Sequence, residues 1–310
     1  MNFSAQRSAM SLHGHANAFS NMFQDNQRMQ AYRTAIEKLV TPESVVADVG
    51  TGMGVLALFA ARAGARKVYA IERVPEAAEL ARKNIAANGY SDKIDVLVDD
   101  AETIRLPEKV DILVTETMGT TGVDEQIQNL AGAFARNNLK LDGIAVPHSV
   151  RSMIAPSDFS HLAHALDSSL SIADFDWSVL KALPGDDNMS FRMPETEFIP
   201  LGPPAILDDV TVGLTEVPAA DPLRINLTID RPGIIRSFVM WFEADMMPAL
   251  DPALKIVNYP GQTRASWSCG IFTVGAPVAV QAGDSLVVSV DTGRRQHSLN
   301  WSLRWMKNKS

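Results

Sequence analysis

The sequence is poor in cysteine, in net positive charge and in long apolar runs, and each shortage excludes a class of protein. A single cysteine, Cys269, in 310 residues rules out an intrachain disulfide framework and a cysteine-built zinc site. It fits a reducing, cytoplasmic setting. Lys and Arg number 28 against 36 Asp and Glu, a formal charge of −8. That is the reverse of the basic face a general nucleic-acid binder carries, and it suits a cationic substrate. No stretch approaches the roughly 20 apolar residues of a membrane-spanning helix. The opening segment, MNFSAQRSAMSLHGHANA, lacks the apolar core of a signal peptide. It reads as a tail or as a flap that orders over a ligand. What remains is ordinary globular composition, 46% hydrophobic and 21% charged, in a chain long enough for two subdomains.

One stretch organises the rest. Val45, Val46, Ala47 and Val49 read as a buried strand. The strand carries Asp48 and ends in a turn, Gly50-Thr51-Gly52-Met53-Gly54. A helix follows from Val55 to about Ala63, closed by Gly64. A second strand, Lys67 to Ile71, runs into Glu72. Glycines stand where backbone must approach a ligand, and an acid stands where ribose hydroxyls need an acceptor. The dinucleotide fingerprint G-x-G-x-x-G would place its third glycine at position 55, which is valine here; the third glycine is Gly54. A G-x-G-x-G turn after an acidic strand end is the pattern of class I methyltransferases that bind S-adenosylmethionine (SAM).

Around this unit the pattern is that of an α/β protein with a doubly wound sheet. Apolar spacing predicts a helix over Phe19 to Leu39, with Pro42 beyond its end. Asp25 and Arg28, three apart, read from their residues as a solvated pair. A helix over Pro75 to Asn88 leads to a strand, Lys93 to Val98, ending in Asp99-Asp100-Ala101-Glu102. In such sheets ligands bind outside the carboxyl ends of the strands. This cluster is therefore either an acceptor for an adenine amino group or a solvated acidic loop. The strand Val110 to Thr115 runs into TETMGTTGVDEQ. There Glu116 and Glu125 bracket a glycine-containing loop. Glu125 is either a site carboxylate or first-turn charge of a helix over Gln126 to Ala135.

The stretch Val45 to Pro147 resembles the catalytic domain of the protein arginine methyltransferases. VGTGMGVLALFAARAGARKVYAIE is similar to that family's SAM-binding segment, and TETMGTTGVDE to its double-E loop. The resemblance implies that Glu116 and Glu125 grip the target guanidinium, with Met118 beside them. It implies SAM contacts from Asp48, Gly50, Gly52, Gly54, Asp100 and Ala101. Glu72 would take the ribose and Glu102 the adenine. MFQDNQRMQAY resembles the family's N-terminal helix, which makes Arg28 the partner of the SAM carboxylate and replaces the solvated-pair reading. Past Pro147 the pattern turns to short alternating strands, for example Arg236 to Glu243 and Asp284 to Asp291. The resemblance implies a β-barrel over 148–310, after a SAM domain over 41–147 and a cofactor-covering segment over 1–40. It implies a dimerisation arm at about 170–190, beginning FDWSVLKAL, and hence a homodimer.

Two departures bear on the substrate. The family's Tyr-Phe-x-x-Tyr motif aligns with AMSLH, residues 9–13, so the aromatic wall of the arginine channel is missing. The Thr-His-Trp loop aligns with ASWSCGIF: Ser266 replaces the histidine and Trp267 is kept. His13 and His15 stand near the missing aromatics, as substitutes or as plain surface residues.

The chemistry follows from the residues. A guanidinium, with a pKa of about 12.5–13.8, arrives charged and non-nucleophilic. Two carboxylates can bind its planar fork, concentrate electron density on the remaining nitrogen, and stabilise positive charge as it develops. No metal is required. Methyl transfer to a guanidino nitrogen of arginine is the leading expectation, with free L-arginine or a small guanidine preferred and protein arginine as the alternative. Transfer to another small nucleophile, and SAM binding without turnover, are the further alternatives.

Overall fold

Five short parallel strands carry the first half of the chain. The computed structural model describes residues 22, 24–159, 189–191, 198–214, 222–248, 254–261, 267–291 and 302–308. Strand β1 (Val45–Val49) is buried along its whole length. It pairs in parallel with β2 (Lys67–Glu72) and β4 (Val110–Thr115), so that Val46 lies between Val68 and Ile112. A strand buried on both faces must be apolar throughout, which is why β1 shows no alternation. With β3 (Ile94–Val98) and β5 (Leu139–Val146) the order is β3-β2-β1-β4-β5. The chain builds outward from β1 on one side and then returns to β1's other edge. The switch point therefore lies between β1 and β4, and the crevice for a ligand lies outside their carboxyl ends.

Among the described residues this half carries the helices α1 (Asn26–Leu39), α2 (Val55–Arg62), α3 (Pro75–Ala87) and α4 (Ile127–Asn138). The helix bearing Arg28 starts at Asn26 rather than at Phe19. Asp25 is its N-cap, with the side chain accepting from the Arg28 amide at 3.0 Å. Apolar spacing runs straight across such a cap and does not register it. Residues 19–21 and 23 lie outside the described residues. The solvated reading of Asp25 and Arg28 is also corrected, since each is only 3% exposed. Helix α4 begins one residue later than expected. Its N-cap, Gln126, adopts φ 61° and ψ 37°, and among the described residues it is the one non-glycine with positive φ.

After the cis Val146–Pro147 bond the sheets become antiparallel. Here lie β6 (Ser149–Ser157), β7 (Met189–Phe191), β8 (Ala205–Thr211), β9 (Leu223–Thr228), β10 (Gly233–Asp245), β11 (Lys255–Val257), β12 (Cys269–Val280), β13 (Ser285–Asp291) and β14 (Ser302–Lys307). The described strands form a six-stranded sheet, β7-β12-β10-β6-β8 with β11 on β10, and a three-stranded sheet, β14-β13-β9. Strand β10 is longer at both ends than the alternation from Arg236 to Glu243 suggests. Its Phe238, Met240, Phe242 and Ala244 join the main core, while Val239 joins a smaller cluster with Cys269. Burial pushes the Cys269 thiol up to about 12, so it is neither an effective nucleophile nor a thiolate ligand at neutral pH. The arm segment 175–183, His13 and His15 lie outside the described residues.

Candidate active site

Every loop at the carboxyl edge of the parallel sheet carries residues singled out in the sequence. After β1, Gly50, Gly52 and Gly54 all have positive φ. Gly54 is the N-cap of α2 at φ 86°, and a Cβ there would meet Ile85 and Ala81 of α3 at 3.4–3.5 Å. Glycine lets the chain turn left-handed while α2 and α3 stay close. Glu72, at the end of β2, accepts from the Gly52 amide through Oε2 and from the Val74 amide through Oε1, each at 2.9 Å. The carboxylate is thus held rigidly against the turn, and each oxygen keeps a further lone pair for a ribose hydroxyl.

Asp48 stands behind this turn. It is 1% exposed. Its Oδ2 accepts from Thr51 Oγ1 at 2.5 Å and from the Ala57 amide at 2.9 Å. Its Oδ1 is buried and finds no hydrogen bond among the described residues. Burial, only partly opposed by the bonds to Thr51 and Ala57, raises its pKa from 3.8 to about 6. Asp48 therefore ties the glycine turn to α2 from inside the fold. After β3, the Asp100 carboxylate accepts from the Glu102 amide at 2.9 Å, Ala101 is buried, and Asp99 and Glu102 are exposed.

The loop after β4 is clasped from several directions. Glu116, 11% exposed, accepts from Arg28 Nη1 at 3.2 Å. The Arg28 guanidinium carbon lies 3.2 Å from the centre of the Trp267 ring. The Trp267 indole N–H donates to the Met118 carbonyl at 2.9 Å, and its ring meets Phe242 edge-on at 5.1 Å. The Met118 side chain is buried. Tyr32 anchors α1 to this edge by donating to the Thr115 carbonyl at 2.8 Å, and burial holds its hydroxyl well above the ordinary pKa. Glu125 lies on an exposed turn just before Gln126. Ser266 lies outside the described residues. The structure thus gathers Arg28, Glu116, Met118 and Trp267 into one contact set, with Glu72 and the glycine turn on the neighbouring strands.

Two residues at this edge escaped sequence reasoning. Asn258 is 2% exposed. It donates to the carbonyls of Thr120 and Ser268, both at 2.8 Å, and accepts from the Phe242 amide at 2.6 Å. Asp124 accepts from the amides of Thr120 and Thr121, both at 2.9 Å. Asn258 has no local signal. Asp124 stands inside the double-E pattern, and its nearness to Glu125 was the available clue.

The residues fit SAM as a ligand. A left-handed glycine turn, a fixed carboxylate with spare lone pairs and a cation on the adjoining helix together match its nucleoside and its amino-acid end.

Comparison with known proteins agrees. Residues 32–138 match the family model for ribosomal protein L11 methyltransferase (PrmA). The chain is 30% identical over 275 residues to arginine N(omega)-methyltransferase of Streptomyces achromogenes subsp. streptozoticus, spanning 86% of this chain and 73% of that one. It is 28% identical over 298 residues to protein arginine N-methyltransferase PRMT10 of Arabidopsis thaliana, spanning 86% and 77%. The crystal structure of Arabidopsis thaliana protein arginine methyltransferase 10 superposes with a TM-score of 0.71 at 24% identity, covering 87% of this chain and 86% of that one.

Proposed function

The chain belongs to the arginine N-methyltransferase family, SAM-dependent enzymes of the class I fold, and from that premise we propose that its substrate is free L-arginine or a close small guanidine. The observation that carries the guanidine class is the corner formed by Glu116 and Trp267. It holds a guanidinium of the chain itself, that of Arg28, with the carboxylate at 3.2 Å and the indole ring at 3.2 Å. Carboxylate and aromatic face are the two surfaces a guanidinium prefers. The choice of free arginine is supported by AMSLH at residues 9–13 and by Ser266. These departures change the outer wall while the gripping carboxylates stay. The name of the Streptomyces relative points the same way.

When bound, SAM supplies an electrophilic methyl group on a sulfonium. Glu72 and the glycine turn hold its nucleoside, and Arg28 meets its carboxylate. Glu116 and Glu125 hold the substrate guanidinium by two of its nitrogens and keep positive charge there, so that density concentrates on the third. The same carboxylates stabilise the charge that grows on the guanidinium, and one of them takes the proton the product nitrogen releases. Trp267 fixes the Met118 carbonyl and so the direction in which the loop leaves Glu116.

The test is competition between equal concentrations of free L-arginine and an arginine-glycine peptide, with products read by mass spectrometry. Methylated free arginine is expected. Methyl groups on the peptide alone would overturn the small-molecule choice and leave the guanidine reading standing. The same reading includes a homodimer built through the arm that begins at Phe175. If the arm docks by its apolar residues, Phe175→Asp with Trp177→Asp would oppose that docking with charge and should yield monomers in light scattering. A monomeric wild type would exclude the arm.

A further inference from the structure

Between the two glutamates, side chains fasten the main chain at three residues, Met118, Thr120 and Thr121. The Met118 carbonyl takes the Trp267 indole, the Thr120 carbonyl takes Asn258, and the Thr121 carbonyl takes Ser152 Oγ at 2.6 Å. The amides of Thr120 and Thr121 go to the two oxygens of one carboxylate, Asp124. The first three partners come from the antiparallel half of the chain. Asp124 alone belongs to the loop, and it immediately precedes Glu125.

We propose that Asp124 is the positioning residue that sets the offset between Glu116 and Glu125. This rests on the reading that those two carboxylates grip a guanidinium. The Asp124 carboxylate closes the segment from Thr120 to Asp124 into a ring, with one oxygen on each of two consecutive amides. Glu125, the next residue, leaves that ring in a fixed direction. Without the ring, a loop containing Gly119 and Gly122 has many conformations, and few of them place Glu125 opposite Glu116. Gly119 completes the device. A Cβ there would lie 2.5 Å from Asp124 Oδ1, so a side chain at 119 and a carboxylate in this place exclude one another. Asp124 is therefore turned into the loop and does not serve as a third gripping carboxylate. Burial raises its pKa while the amide bonds oppose the rise, as expected for a carboxylate enclosed by its own loop.

Because a displacement of about 1 Å at a reacting group can cost about a hundredfold in rate, the effect belongs in turnover and not in cofactor binding. Two variants test it in the full chain. Asp124→Asn removes one acceptor, and Gly119→Ala displaces the carboxylate without changing charge. The measurements are SAM affinity by calorimetry and kcat and KM for whichever guanidine the wild type methylates. Both variants should bind SAM normally and lose about tenfold or more in kcat. On a Glu125→Gln background the further loss should nearly vanish, because a residue that acts through Glu125 has nothing left to position. Wild-type kcat in both variants, an undiminished further loss on that background, or a matching fall in SAM affinity would each overturn the proposal. If Asp124→Asn does not fold, Gly119→Ala decides alone. Wild-type kcat in Glu125→Gln itself would instead remove the guanidinium-grip reading, and this proposal with it.

Discussion

Arg28 and Glu116 form an ion pair at 3.2 Å with side chains only 3% and 11% exposed, joining α1 to the loop after β4 across 88 positions of sequence. One guanidinium thus touches the carboxylate expected to grip the substrate, and sits on the helix expected to reach the cofactor. A guanidinium has five N–H donors, so both duties are compatible. The pair couples α1 to the loop after β4.

That coupling is measurable. Removing one partner leaves a buried charge uncompensated, at a cost of about 3–5 kcal/mol. Arg28→Met should destabilise the fold strongly in urea unfolding. Adding Glu116→Gln should recover part of the loss, with a coupling on the order of 1–3 kcal/mol. Strict additivity would show that the pair contributes nothing beyond its members.

Glu72 bonds to the amides of Gly52 and Val74, and each oxygen keeps a lone pair for the proposed ribose contact. Hydrogen bonds to a charged group are worth about 1.5–3 kcal/mol each. Glu72→Ala should lower SAM affinity at least about tenfold in calorimetry. Unchanged affinity in a folded variant would remove the ribose assignment.

Asp48 makes a prediction about pH. Its folded pKa, about 6, stands above the ordinary 3.8. The folded state therefore holds the proton more tightly than the unfolded chain. The resulting stabilisation is full below about pH 4 and is lost as pH rises through about 6. Two pKa units correspond to roughly 3 kcal/mol. Asp48→Asn should remove this slope, so that the variant gains on the wild type between pH 4.5 and pH 7 in urea unfolding. Parallel profiles would contradict the assignment.

Gly122 has φ 85°, and a Cβ there would lie 2.6 Å from both Phe242 Cβ and Val150 Cγ1. Gly122→Ala meets a strained backbone and a closed core at once. It should cost about 1–3 kcal/mol, seen as a lower melting temperature. Pairing it with Val150→Ala, which vacates one of the two contacts, should recover part of the loss. A melting temperature equal to the wild type's would show that the loop moves freely there.

The parallel sheet was legible because its signals are local. Val45–Val49 and Val110–Thr115 are continuously apolar for the simple reason that both faces of a central strand are covered. The turn from Gly50 to Gly54 announces itself because glycine is the residue that enters left-handed backbone without strain. The helix starts were less legible. The apolar rhythm from Phe19 passes over the cap at Asp25, and the left-handed Gln126 before α4 is held by a loop whose contacts are distant in sequence. Asp48 was recognisable as important, but its inward orientation was not, since a strand end does not reveal which way a carboxylate turns.

The sequence by itself determined the α/β sheet, the order of the loops at its edge and the cofactor class, and it nominated Glu72 and the pair Glu116 and Glu125 as site residues. These rest on neighbours in the chain, where periodicity and turn chemistry act. Only the tertiary structure decided that Arg28 reaches Glu116, that Trp267 holds Met118 across 149 positions, and that Asn258 fastens Thr120 across 138. Such contacts join residues from separate elements. Their partners are chosen by how the antiparallel half packs over the edge of the parallel sheet, where each buried donor must meet whatever acceptor that packing presents.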